Sequence, residues 1–244
     1  MKSVVIGGTA GLGREIATAL AKKGHTLLIT GKDKQDVDAS VANLQHQYEV
    51  KVSGLVVDAS NQRNFHDVLI AAASNFGSVN GLFLPIGNSN VQDNGDLEVP
   101  ELNDVISANF TSVVIAVQAF SPGLKLAEKA AIVGFSSISA IRGREKNVIY
   151  AGSKRALESY FDSLRMILSD TNISVICYRI GYLDTYQTYG KRLLFPRADP
   201  KNVAENIVTN LNRTRVVSYF PQYWLIISFL IKLVPMRLFK RVSS

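Results

Sequence analysis

Residues 2–15 read KSVVIGGTAGLGRE, a β-branched run that breaks into spaced glycines and then a helical pattern. Gly7, Gly11 and Gly13 stand at G-x-x-x-G-x-G spacing between that strand and that helix. Glycine permits a tight turn and a close backbone approach, and the helix that follows aims free N–H groups at whatever lies in front of it. A pyrophosphate is the ligand that needs both features. A turn that is merely structural is the competing reading. Outward from this unit the alternation continues. Short apolar runs at 25–31 (HTLLITG), 52–58 (VSGLVVD), 80–87 (NGLFLPIG), 130–137 (AAIVGFSS), 173–181 (ISVICYRIG) and 215–220 (RVVSYF) read as strands. Stretches at 13–24, 35–47, 62–77, 102–120, 154–170 and 199–213 have helical length and spacing.

Strand and helix in strict alternation predict a parallel, doubly wound sheet with helices on both faces. No repeat, low-complexity tract or linker divides the chain. The expected architecture is therefore α/β: one Rossmann-type domain of about seven strands over 1–220, followed by a short apolar and basic extension over 221–244.

The 244 residues are 47% apolar and 19% charged, ordinary for a chain that buries a sizeable core. A single cysteine, Cys177, excludes an intramolecular disulfide framework; its place in ISVICYRI makes it a core thiol. His25, His46 and His66 have no metal-like spacing, so no metal is expected. The net charge of +7 is uneven: residues 187–244 carry ten basic residues against Asp199 and Glu205, and the first 186 carry 17 against 18. A basic C-terminal quarter is a clue about a partner rather than about the fold. No recognition motif accompanies it, so nucleic acid is not the expected partner. With no signal segment ahead of the first strand, a cytoplasmic location is expected, or a peripheral one at the inner face of a membrane.

The second predicted strand ends LLITGKD. An acidic residue at this point favours NAD by holding the ribose hydroxyls; here Gly31 and Lys32 stand instead. An ammonium there pairs with a 2′-phosphate, which points to NADPH/NADP+. A solvated loop lysine is the plain alternative.

A second informative stretch is SSISAIRGREKNVIYAGSK, residues 136–154, in which Ser137 precedes Tyr150 by thirteen residues and Lys154 follows by four. A Tyr and a Lys four apart share one helix face, about 5–6 Å between Cβ atoms, so the ammonium can stabilise a phenolate. With the glycine turn, Asp58 in LVVDAS, Asn109 in SANFTSV, and Gly181 and Thr185 in RIGYLDT, the chain resembles the short-chain dehydrogenase/reductase family, classical type, from residue 3 to about 220.

The resemblance implies an oxidoreductase with Asn109, Ser137, Tyr150 and Lys154 as its catalytic set. It implies that Gly7, Thr9, Ala10, Gly11, Leu12 and Gly13 bind the cofactor. Lys32, Asp58, Ala59, Gly87, Gly181 and Thr185 would join them, with Tyr150 and Lys154 again. In that scheme hydride goes to a carbonyl carbon and Tyr150 protonates the oxygen. Ser137 hydrogen-bonds that oxygen, Lys154 lowers the tyrosine pKa from near ~10 and grips the ribose, and Asn109 holds a water linking Lys154 to solvent. It also implies a homodimer or homotetramer through helices near 101–120 and 150–169. The expected reaction is NADPH-dependent reduction of a small-molecule ketone. The alternative is an NADP(H)-binding sensor or scaffold that keeps the fold without catalysis.

Three departures from the family pattern stand out. Leu84, Pro85 and Ile86 replace the polar residues before Gly87, Ile180 replaces a proline, and Ile6 replaces a threonine. Arg142, Arg144 and Lys146 in the Ser–Tyr loop, and Lys191, Arg192 and Arg197 in the segment where the family carries its lid, suit a phosphate or carboxylate on the substrate. They also suit plain solubility. The tail from Tyr223 to Val234 is almost wholly apolar and runs into Pro235, Arg237, Lys240 and Arg241. It is too short to cross a bilayer. Contact with a membrane surface, a sister subunit or the substrate pocket all remain open, and the first would favour a lipid-linked substrate such as a polyprenyl-phosphate sugar or a fatty acyl group.

Overall fold

The computed structural model describes residues 1–185, 190, 195–211 and 217–243. Seven parallel strands form one sheet: β1 (Lys2–Val5), β2 (Thr26–Gly31), β3 (Val52–Val56), β4 (Gly81–Leu84), β5 (Ala130–Ser137), β6 (Ile173–Ile180) and β7 (Val217–Phe220). Their spatial order is β3-β2-β1-β4-β5-β6-β7. A strand lies in every run expected to form one, and β5 matches its expected bounds at 130–137. The order reverses between β1 and β4, and their C-terminal ends open a crevice there, where sheets of this kind place ligands.

Alternation along the strands divides the core. Val5, Leu27, Ile29, Phe83 and Val133 face one side, with α1 (Gly11–Lys22), α2 (Lys34–Tyr48) and α7 (Pro200–Asn210). Val4, Ile6, Leu28, Leu82 and Ile132 face the other, with α3 (Gln62–Phe76), α5 (Ser112–Lys125) and α6 (Val148–Ile167). Both faces are covered, which is why the strands read as continuous apolar runs rather than alternating ones. Close packing explains individual glycines: a Cβ on Gly134 of β5 would lie 2.3 Å from the ring of Phe161 on α6.

The helix expected over 102–120 is interrupted. α4 (Val99–Ile106) passes through a π turn at Ser107–Thr111 into α5. Single π turns of this type cluster at functional sites, and this one carries Asn109. The whole run Val99–Lys125 is long and apolar enough to cross a membrane, but half of its most apolar window is buried in the domain. α6 starts at Val148, six residues ahead of the expected Lys154. In the tail, Pro235 separates α8 (Trp224–Leu233) from α9 (Met236–Ser243).

Half-buried His25 accepts or donates one hydrogen bond with Ser3 Oγ at 2.9 Å. Burial, then the N-terminal ammonium and Lys23, lower its pKa from 6.5 to about 4. Between those values the unfolded chain takes up a proton that the folded protein refuses, so stability falls as pH drops through that window. Denaturant midpoints measured at neutral pH and near the lower value are expected to fall more for the wild type than for His25→Asn.

Candidate active site

Glycine shapes the turn after β1. Gly7 has φ +86° and Gly11 has φ +49°, and a Cβ on Gly13 would sit 1.9 Å from the Gly7 carbonyl oxygen. No side chain fits at residue 13. The Gly7 N–H donates to Thr30 Oγ1 at 3.0 Å and the Gly8 N–H to the Thr30 carbonyl at 2.8 Å, which fastens the turn to β2. Ala10 caps α1 with extended backbone and no side-chain hydrogen bond, and the first turn holds no acidic residue. The helix therefore presents its N–H groups and positive dipole end without internal competition.

Thr9 is buried, and its carbonyl accepts from Arg14 Nε at 2.8 Å and Nη2 at 2.5 Å. Leu12 points into the core. Arg14 also lines a cavity of ≈ 310 Å³ between α1 and α2, along with Gly8, Thr18, Asp36, Ser40 and Asn43. Lys32 is exposed at the end of β2. Thr185, beyond β6, reaches the turn: its Cγ2 lies 3.9 Å from where a Gly11 Cβ would stand. The cradle, the uncapped helix end and the basic residues beside them fit a dinucleotide phosphate.

Two of the residues that depart from the family pattern, Pro85 and Ile86, pack beneath the glycine turn. Ile86 Cγ2 would lie 3.7 Å from a Cβ on Gly7, and Pro85 Cγ 3.2 Å from one on Gly13. A Cβ on Gly87 would stand 2.9 Å from Asn109 Oδ1 and 3.3 Å from Lys154 Nζ, so a larger residue there would push both side-chain ends aside. Asp58 is exposed, and its carboxylate accepts the Ser60 N–H and hydroxyl, each at 2.9 Å; partly buried Ala59 follows it.

Beyond β5 the chemistry-bearing residues converge. Ser137 caps a short 3₁₀ turn, Ile138–Ile141, by accepting the Ser139 N–H at 3.1 Å, and its hydroxyl is near enough to the Tyr150 side chain to pull that group's pKa down. Lys154 lies one helical turn below the tyrosine, 3% exposed, with Nζ 5.9 Å from the ring centroid of Tyr150. That ammonium donates to the carbonyls of Phe135 at 3.0 Å and Ile86 at 3.2 Å. Burial lowers its pKa from 10.5 to about 8.

Tyr150 moves the other way. Burial raises its pKa, while the Ser137 hydroxyl and the charge of Arg144 pull it down without reversing the shift. Arg144, one of the three loop cations, joins Ser137 in that downward pull, and Lys154 lies one helical turn below the same ring. Asn109 Nδ2 donates to the carbonyls of Asn88 at 2.5 Å and Val105 at 2.8 Å. Its Oδ1 is buried and unpartnered, facing the space beside Gly87 that Lys154 Nζ also faces. A water is what such an acceptor and such a donor can share.

Two supports were invisible in the sequence. Asp93, 2% exposed, accepts the Ile149 N–H at 3.0 Å and the Tyr150 N–H at 2.9 Å. A carboxylate from the loop after β4 thus caps α6, whose own N-cap, Asn147, makes no side-chain bond. Behind Lys154, Glu158 accepts from Arg179 Nε at 2.6 Å and Nη2 at 2.7 Å, and from Ser136 Oγ at 2.7 Å. Arg179 also donates to the Tyr219 hydroxyl. This network ties α6 to β5, β6 and β7.

A family model described as short chain dehydrogenase matches residues 2–192. The chain belongs to the short-chain dehydrogenase family. Like other members, this short-chain dehydrogenase is of an oxidoreductase family. It is 25% identical over 217 residues to an uncharacterised oxidoreductase of Staphylococcus saprophyticus, covering 86% of this chain and 91% of that one. An uncharacterised oxidoreductase of Staphylococcus aureus is 26% identical over 216 residues, covering 86% and 90%. Its fold is that of a short-chain dehydrogenase from Sphingobium yanoikuyae in complex with NADPH (TM-score 0.82, 18% identity, 96% of each chain). L-sorbose reductase from Gluconobacter frateurii, complexed with NADPH and L-sorbose, is similar as well (TM-score 0.80, 19% identity, 89% and 93%).

The loop cations of this short-chain dehydrogenase do not act as one cluster. Arg142 donates to the carbonyls of Ile231, at 2.6 Å, and Val234, and lies 4.5 Å from the Phe239 ring, so it holds the tail. Arg144 turns inward to Ser139 Oγ, with its buried Nε unpartnered, while Lys146 is exposed. Lys191 and Arg192 lie outside the described residues. Gly181 serves the tail: a Cβ there would be 2.0 Å from Trp224 Nε1.

Proposed function

We propose that this chain is an NADPH-dependent carbonyl reductase converting a ketone to a secondary alcohol. The observation that carries the reading is the convergence of Ser137, Tyr150 and a buried Lys154, whose Nζ lies 5.9 Å from the Tyr150 ring centroid. Bound NADPH supplies the hydride. Tyr150 donates the proton to the carbonyl oxygen, and its raised pKa keeps the hydroxyl protonated at neutral pH for that task. Ser137 Oγ, held as acceptor by the Ser139 N–H, turns its hydroxyl proton from Ser139 Oγ to the same oxygen as negative charge develops there. Lys154 stabilises the phenolate that remains. A water between its Nζ and Asn109 Oδ1 returns a proton from solvent.

Arg14 beside the glycine turn and Lys32 at the end of β2 support a 2′-phosphate, and hence NADPH over NADH. Arg144, with a buried and unpartnered Nε–H and a charge felt at Tyr150, supports a substrate carrying a carboxylate or phosphate. Exposed Ile106, Met166 and Ile167 on α4 and α6 are available to a second copy of the chain.

The test is initial-rate oxidation of NADPH and of NADH with 3-oxoacyl thioesters, phosphorylated keto-sugars and apolar ketones. Turnover with one class, faster with NADPH, is the expected result. The pH dependence is specific. Because the Lys154 cation is lost as pH rises through about 8 rather than 10.5, kcat/KM for the carbonyl declines above about 8. A profile flat to pH 10 would remove Lys154 from the mechanism.

A further inference from the structure

The tail divides into two faces. Trp224 and Ser228, one turn apart and 2% and 1% exposed, fix α8 to the domain. The indole packs edge-on against Tyr182 at 5.6 Å and Phe195 at 4.9 Å. α8 also rests on the 3₁₀ turn that follows Ser137 and is held there by Arg142. One side of the helix therefore walls the cleft beside the reacting residues. The opposite side is apolar and uncovered: Leu225, Ile226, Phe229, Leu230 and Leu233 are each 55–65% exposed at i, i+4 spacing. Monomeric proteins rarely leave such a contiguous patch without a partner.

The charges beside the patch say which partner. Lys232 borders it on α8, and Arg237 and Lys240 follow on α9, all exposed. Residues 224–244 contain no Asp or Glu. Glu145, 3.7 Å from Lys240, is an exposed carboxylate facing this group. A second copy docking on the same patch about a two-fold axis would bring like cations face to face. An anionic lipid surface takes both the apolar side chains and the cations.

We propose that the exposed face of α8 and α9 docks on an anionic bilayer surface and sets the cleft mouth against the lipid. The docking stands on the tail alone. Its consequence, that the ketone is carried on a lipid or presented at the membrane, rests on the reductase reading above.

Co-sedimentation with vesicles tests the docking. The full chain is expected to pellet with phosphatidylcholine–phosphatidylglycerol vesicles, weakly with phosphatidylcholine alone, and less as salt rises. Replacing Lys232 and Arg237 with alanine should weaken binding about 30-fold, at about 1 kcal/mol per cation. Phe229→Glu should abolish binding while leaving turnover of a water-soluble ketone unchanged, which separates lost docking from unfolding. Tyr150→Phe should still pellet, so a failed reductase reading leaves this result intact. Wild type that stays in the supernatant with anionic vesicles at low salt overturns the proposal. So does a dimer that Phe229→Glu splits in sedimentation velocity without any vesicle binding.

Discussion

Tyr150→Phe lowers turnover by at least about 10³-fold and leaves NADPH affinity within about twofold. The substitution removes one oxygen from a ring that stays packed on α6 above Lys154. It therefore deletes the proton donor beside Ser137 while sparing the glycine turn and the cradle around Gly13. Steady-state rates and NADPH titration of the same preparation check both halves. Near-normal turnover would place the proton on another group. Equal silence of both proteins, with tight NADPH binding, is what a sensor built on this fold would give.

Glu158→Ala destabilises the protein by about 3 kcal/mol, the lower end of what removing one partner from a buried ion pair costs. Glu158 is 8% exposed and holds both Arg179 and Ser136, so the alanine leaves a guanidinium in the sheet with Tyr219 as its remaining described partner. Replacing both Glu158 and Arg179 with methionine should restore most of the loss, because the uncompensated charge goes with its partner. Urea denaturation of the three variants measures this. A single variant as stable as wild type would mean that water already solvates the pair.

Local pattern was enough for the parts of the molecule that local physics decides. The glycine spacing at 7–13 sets a turn whose geometry admits no Cβ at Gly13, and the central apolar runs of β1, β4 and β5 became strands buried between helices on both faces of the sheet. Ser137, Tyr150 and Lys154 were legible because one strand end and one helix bring them together within eighteen residues. What escaped depends on contacts distant in sequence. α6 begins early because Asp93, more than fifty residues upstream, caps it, and no motif near Asn147 announces that. The π turn at Asn109 and the Glu158–Arg179 pair are likewise tertiary facts. Arg142 looked like one of three equivalent loop cations, yet its partners are carbonyls 89 and 92 residues away. Charge and exposure can be read from a loop's composition; direction cannot.

The most direct measurement is isotope transfer. NADPH carrying two deuterium atoms at nicotinamide C4 is mixed with the protein and with whichever ketone it consumes, and the recovered alcohol is analysed by mass spectrometry. The account predicts one deuterium on the carbinol carbon per NADPH oxidised, with the label absent from the alcohol when Tyr150→Phe replaces the wild type. Oxidation of NADPH without label in an alcohol, or labelled alcohol formed equally well by Tyr150→Phe, contradicts it.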